Sequence, residues 1–188
     1  FIPIAAGGGI RDVEYARKLL RSGADKIVIN SLAAINTKSI NKIASEFGQQ
    51  SIVLSVDVRH SEGEYTVWTE NGSKEQMVSL TQYLENLNNF PIGELYLNSI
   101  DNDGTGQGYD FKLLQYLQDN LSMPVILAGG AGRHEHFAEG LNNEKVDAVA
   151  TAHLFNFVGD GLERARNNLL EKGFKLAIWD ISKANILH

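Results

Sequence analysis

Pro3-Ile4-Ala5-Ala6-Gly7-Gly8-Gly9 and Pro124-Val125-Ile126-Leu127-Ala128-Gly129-Gly130 repeat one pattern: a proline, a short apolar run, then a glycine turn. Each copy leads into a helical stretch. A second related segment follows, Gly23-Ala24-Asp25-Lys26-Ile27-Val28-Ile29 in one case and Lys145-Val146-Asp147-Ala148-Val149-Ala150-Thr151 in the other. About four strand–helix units of chain separate the copies. A barrel built from two half-barrels produces such a repeat, whereas a doubly wound open sheet gives no reason for it. The expected fold is therefore a (β/α)8 TIM barrel.

Working outward from the repeat, short apolar runs alternate with amphipathic stretches. Strands are expected at Ile2–Ala6, Lys26–Asn30, Ser51–Asp57, Glu94–Asn98, Pro124–Ala128 and Asp147–Thr151. Helices are expected at Val13–Arg21, Thr37–Phe47, Leu80–Leu87, Phe111–Asp119, His134–Leu141 and Gly161–Glu171. Alternation at this length means βαβ units and a parallel sheet. The one insertion is Glu64–Thr69, which alternates in polarity and ends at the hairpin signal Asn71-Gly72. Six units are present in 188 residues, while a whole barrel takes about 250. Residues 1–188 read as one partial barrel domain holding strands three to eight, with two N-terminal units expected outside it.

The formal charge is −6. An acidic chain gains nothing from counterion release, so nucleic acid is not an expected partner. No apolar run reaches the ~18 residues of a membrane span, and no signal peptide is evident. Cysteine is absent, which removes thiolate and disulfide chemistry. A cytoplasmic location is the expectation.

Gly7-Gly8-Gly9 and Gly129-Gly130 stand where strands give way to helices. Without a Cβ, backbone amides there can approach an anion closely, although glycines also serve tight turns. Two copies half a barrel apart suggest two anion sites facing each other across the mouth. Asp57 ends an apolar strand, the place where barrel enzymes keep acid–base carboxylates. Asp101 and Asp103 follow another strand, but Asp103-Gly104-Thr105 equally suits a turn. Of five histidines, only His153 falls at a strand end. His134 and His136, two apart, read as surface or capping residues. No metal-ligand spacing is present and no cofactor is expected.

Several segments together carry a family resemblance. They are Ile4 to Arg11, Gly23 to Asn30, Ser99-Ile100-Asp101-Asn102-Asp103-Gly104-Thr105 through Asp110, and Gly129-Gly130-Ala131-Gly132 with His136-Phe137. The chain resembles the cyclase subunit of imidazole glycerol phosphate synthase. The resemblance implies a lyase of histidine biosynthesis that takes ammonia from a glutaminase partner. Its substrate is a phosphorylated small molecule, a bisphosphorylated ribulosyl aminoimidazole carboxamide. Asp57 is implied as one catalytic acid–base residue, with a second on a strand outside the chain. Gly8, Gly9, Asn30 and Ser31 are implied to hold one phosphate. Asp103, Gly104, Gly129, Gly130, Ala152 and His153 are implied to hold the other, with Asn98 also in the substrate site. Lys26 and Glu94 match charges gating an ammonia entrance, and Asp25 an acid facing the glutaminase.

The pattern departs from the family at Ala128, where serine is usual, and at His153, Asn98 and Ser31. The tail Gly173 to Asp180 also differs. These departures resemble a paralogous group that works with a glutaminase-like protein to supply ammonia for acetamidino modification of a surface-polysaccharide sugar. That group is the alternative reading.

Overall fold

The structure is a computed structural model that describes residues 2–31, 37–85, 87, 90–152 and 160–176. Its strands are β1 (Ala5–Gly7), β2 (Lys26–Ile29), β3 (Ile52–Ser61), β4 (Glu64–Thr69), β5 (Lys74–Ser79), β6 (Glu94–Ser99), β7 (Val125–Ala128) and β8 (Ala148–Val149). Its helices are α1 (Val13–Arg21), α2 (Thr37–Phe47), α3 (Leu80–Glu85), α4 (His134–Leu141) and α5 (Gly161–Glu171), with 3-10 turns at Gln49–Ser51 and Phe111–Tyr116.

Strand order decides between the two α/β architectures. The parallel strands run β1-β2-β3-β6-β7-β8, each beside the next parallel strand in the chain. A doubly wound sheet reverses direction at a switch point, and this one does not. Burial gives the same answer. On one face Ile27, Ile29, Leu54, Val56, Leu95, Leu97 and Leu127 lie at 2% exposure or less. The residues between them on the other face, Lys26, Val28, Ser55, Asp57, Glu94, Tyr96 and Asn98, are half-exposed. Helices therefore cover one face and the other looks inward. This is a parallel α/β sheet of the TIM-barrel type, curved as a partial barrel.

The repeat seen in the sequence is a repeat of contacts. Ile4 N–H donates to the Asp25 carboxylate at 2.8 Å, and Val125 N–H donates to the Asp147 carboxylate at 2.9 Å. In return Asp25 N–H donates to Ile4 O and Asp147 N–H to Val125 O. Each aspartate thus latches the start of the preceding strand, satisfying a donor that the parallel ladder leaves open.

Several elements differ from expectation; the first strand covers Ala5–Gly7 instead of Ile2–Ala6, and the helix from Leu80 is described to Glu85 instead of Leu87. β3 does not stop at Asp57 but runs on to Ser61, because Asp57–Ser61 gain an antiparallel partner in β4. The hairpin signal at Asn71-Gly72 joins β4 to β5, and a second turn at Glu62-Gly63 joins β3 to β4, with positive φ at Glu62, Gly63, Glu70, Asn71 and Gly72. The expected helix Phe111–Asp119 is a 3-10 turn ending at Tyr116. Asp110 caps it through Lys112 N–H, and Leu117 N–H reaches back only three residues to Leu114 O. β8 is two residues long and pairs with β7 alone among the described residues. The helices α1, α2, α4 and α5 have the expected bounds.

Candidate active site

Asp57 sits on the inward face of β3, level with Asn98 of β6. Both carboxylate oxygens are engaged by neutral amides from the flanking strands. Asn30 Nδ2 donates to Oδ2 at 3.0 Å, and Asn98 Nδ2 donates to Oδ1 at 2.9 Å. The carboxylate is thereby held by two amides, and no ion pair to it is present among the described residues. Burial pushes its pKa above the ordinary value, the Asn98 hydrogen bond opposes that, and the charge of Asp103 adds to it. A fixed carboxyl raised toward the working pH suits proton transfer.

The anchor of this carboxylate reaches the β4–β5 hairpin. Ser31 Oγ donates to Asn30 Oδ1 at 3.4 Å, and Glu70 N–H donates to Ser31 Oγ at 3.1 Å. A cavity of about 830 Å³ opens here, walled by Gly8, Gly9, Arg11, Asn30, Ser31, Ser55, Asp57, Glu70, Asn71 and Ser73 among others. The structure thus brings together Gly8, Gly9, Asn30, Ser31 and Asp57, as the sequence suggested. It adds Arg11, Ser55 and the hairpin tip. Arg11 stood in the quoted motif but carried no assignment. The hairpin tip had no local signal beyond its turn residues.

The two glycine turns are not equivalent. Gly8 and Gly9 have φ of 98° and 66°, and a Cβ on either would meet nothing within 4 Å. Gly129 and Gly130 also have positive φ but are buried. A Cβ there would lie 2.3 Å from Ser99 O and 2.1 Å from Gly108 O respectively. The segment Ser99–Gly108 leans on this second turn, with Gly108 N–H donating to Gly130 O at 2.8 Å. Asp103 and Gly104 are exposed on that segment, and Ala152 is exposed beyond β8. His153 and residues 177–180 lie outside the described residues. Asp101 braces β3: it accepts His60 N–H at 2.8 Å and lies 3.9 Å from Arg59 Nε. His136, expected at the surface, is 2% exposed, and its Nδ1 accepts Gly132 N–H at 3.1 Å, tying down the glycine turn.

At the opposite end of the strands Lys26 Nζ and Glu94 form an ion pair on the inward face. Glu94 is level with Val53, four residues below Asp57 on β3. At ~3.3 Å per residue the pair lies roughly 13 Å beneath the carboxylate. Tyr96 stands on the inward face between these levels. Burial first, then Asp103 and Asp57, raise its pKa, so it stays neutral. No group of His, Asp or Glu among the described residues is arranged to hold a metal ion. No described helix is long and apolar enough to cross a membrane.

The model of the family described as "Histidine biosynthesis protein" matches residues 1–159. The chain is 45% identical over 166 residues to the "Putative imidazole glycerol phosphate synthase subunit hisF2" of Parasynechococcus marenigrum, covering 88% of this chain and 62% of that one. It is 36% identical over 178 residues to the imidazole glycerol phosphate synthase subunit HisF of Chlorobaculum parvum, covering 95% and 71%. With the HisF subunit of Pyrobaculum aerophilum it shares 37% over 177 residues, covering 94% and 70%. The chain thus spans between 62% and 71% of the length of these relatives. Sequential parallel strands, the paired glycine turns and the matched family model together place the chain in the histidine biosynthesis protein family, among the HisF subunits of imidazole glycerol phosphate synthase.

Proposed function

We propose that this chain carries most of the catalytic barrel of an ammonia-using cyclase of the imidazole glycerol phosphate synthase type. The observation that carries this reading is the Asp57 carboxylate, held between two carboxamides and facing a cavity shared with an open glycine turn. The amides of Gly8 and Gly9, with Arg11, seat one phosphate of a ribulosyl aminoimidazole substrate. Asp57 then passes protons as the added nitrogen closes the imidazole ring and the remaining carboxamide fragment leaves.

Two further features belong to the proposal. Strands β1 and β8 each have one neighbour among the described residues. Unpaired parallel edges invite association, and two more βα units preceding β1 would close them and bring a second acid–base carboxylate. At the foot, the Lys26–Glu94 pair admits neutral ammonia from a glutaminase subunit docked there, with Asp25 at the same end. The column of inward residues above it leads to Asp57.

The delivery route has a specific test. In the full-length protein with its glutaminase, Lys26→Met leaves Glu94 without its partner and lowers glutamine-supported turnover by about tenfold, equal to about 1.4 kcal/mol. Turnover with ammonium salts stays near wild type. Equal losses with both nitrogen sources would remove the gate from the account.

A second reading is favoured by one observation. Ala128 supplies no hydroxyl, and the turn after it is buried. A cyclase-like protein that passes ammonia to a surface-polysaccharide sugar does not need the second phosphate seat. Turnover of the ribulosyl substrate separates the two readings.

A further inference from the structure

The tip of the β4–β5 hairpin lines the same cavity as Asp57, through Glu70, Asn71 and Ser73. Two consecutive residues there, Glu70 and Asn71, have positive φ of 54° and 59°. Asparagine tolerates that conformation, whereas glutamate adopts it at a cost. The tip is closed on itself. Ser73 Oγ donates to Glu70 O at 2.6 Å, and Ser73 N–H donates to the same oxygen at 3.3 Å. The hairpin is also fixed at its base. Buried Tyr65 donates through its hydroxyl to Asp110 Oδ2 at 2.6 Å, and its ring packs edge-on to Tyr116.

From this braced tip a directional relay runs to the carboxylate. Glu70 N–H donates to Ser31 Oγ at 3.1 Å, Ser31 Oγ donates to Asn30 Oδ1 at 3.4 Å, and Asn30 Nδ2 donates to Asp57 Oδ2 at 3.0 Å. A backbone N–H can only donate, so Ser31 accepts from Glu70 and keeps its own proton for Asn30. A carboxamide can offer a neighbour either its oxygen or its NH2 group. With a hydroxyl proton facing the oxygen of Asn30, the NH2 group is turned to Asp57. Asn98 holds the other carboxylate oxygen from β6.

No charged side chain takes part in the relay. The charges near Asp57 are Asp103 and, within the cavity, Arg11 and Glu70, while Tyr96 stays neutral. The Glu70 carboxylate is engaged by Lys74 at 3.4 Å. What the hairpin contributes is therefore orientation.

We propose that the tip of the β4–β5 hairpin, acting through Ser31 and Asn30, positions the Asp57 carboxylate for proton transfer. Ser31 and Glu70 are positioning residues, in addition to any contact that Ser31 makes with a phosphate. This rests on Asp57 being the acid–base group of the site.

The test uses the full-length protein. Carboxyl-carbon NMR follows the titration of Asp57, whose signal is identified by its loss in Asp57→Asn. Turnover with ammonium salts gives kcat and KM. Ser31→Ala removes the hydroxyl, so the Asn30 amide is free to turn and Asp57 loses a donor. Its titration then moves to higher pH than in wild type, because fewer hydrogen bonds favour the charged form. In the same variant kcat falls about tenfold, as for a misplaced reacting group, and KM changes little. Ser31→Thr keeps the hydroxyl and restores both. Gly72→Val displaces the tip from a distance, since a Cβ at that φ of 74° would lie 3.1 Å from Ile100 Cδ1. It moves the Asp57 titration in the same direction. A titration unchanged in both Ser31→Ala and Gly72→Val overturns the proposal. So does a rise in KM with kcat unchanged in Ser31→Ala, which would make Ser31 a phosphate ligand alone. The titration needs no substrate, so the two readings fail separately. Normal turnover beside an unchanged titration overturns the role of the hairpin, whereas an inactive wild type overturns the cyclase reading.

Discussion

Asp57→Asn removes turnover by about 10²- to 10⁴-fold, the usual contribution of a positioned acid–base group, without unfolding the chain. Asparagine has the shape of aspartate. Asn30 and Asn98 can each turn an amide to meet its oxygen and its nitrogen, so the hydrogen bonds survive. The sign of the stability change follows from the pKa. The folded chain holds Asp57 above its ordinary value of 3.8, chiefly through burial. The folded state therefore binds this proton more tightly than the unfolded chain does. That contribution to stability is fully present below the ordinary value and is lost as pH rises through the raised one. The asparagine variant has no proton to lose. Its melting temperature relative to wild type is therefore higher at pH 8 than at pH 3. Thermal melts across that range check the direction. A gap that widens toward acid would mean that Asp57 is a stabilising carboxylate held by unseen donors, and not one poised for proton transfer.

The second large effect separates the two glycine turns. Gly130→Ala places a methyl 2.1 Å from Gly108 O at φ 105°. Nothing there can yield cheaply, since the obstacle is backbone. Positive-φ strain and overpacking together cost roughly 3–5 kcal/mol, a large share of the ~5–15 kcal/mol that holds a typical domain. For a chain of this size that lowers the melting temperature by about 10 °C or more. Gly8→Ala has the same backbone sign, φ 98°, but open space in front of it. It costs about 1–2 kcal/mol from the left-handed conformation alone and mainly weakens phosphate binding. Denaturant unfolding and phosphate titration of the two variants check the contrast. Equal stability losses would mean that the turns are equivalent after all.

This asymmetry marks the limit of what the sequence revealed. The internal repeat is legible because its glycines and apolar runs are local features, and they led to the barrel-type sheet and to Asp57. The latch aspartates Asp25 and Asp147 stand in the repeated segments, yet their bonds to Ile4 and Val125 are long-range. The unequal packing of the glycine turns depends on where Ser99–Gly108 comes to rest, which no local pattern encodes. The hairpin tip enters the site only because β3 runs four residues past Asp57 to pair with β4. His136 looked like a capping residue, and its burial follows from the turn it holds. Local chemistry was readable, whereas contacts made across the sheet were not.

The central claim is that Asp57 and the open glycine turn form the reaction centre of an ammonia-using cyclase. The most direct measurement is conversion of the bisphosphorylated ribulosyl aminoimidazole carboxamide by the full-length protein in ammonium salts, with Asp57→Asn alongside. Formation of imidazole glycerol phosphate by wild type, with loss of at least about 100-fold in the variant, is the predicted result. Tight substrate binding with no product from a folded wild-type protein would contradict it.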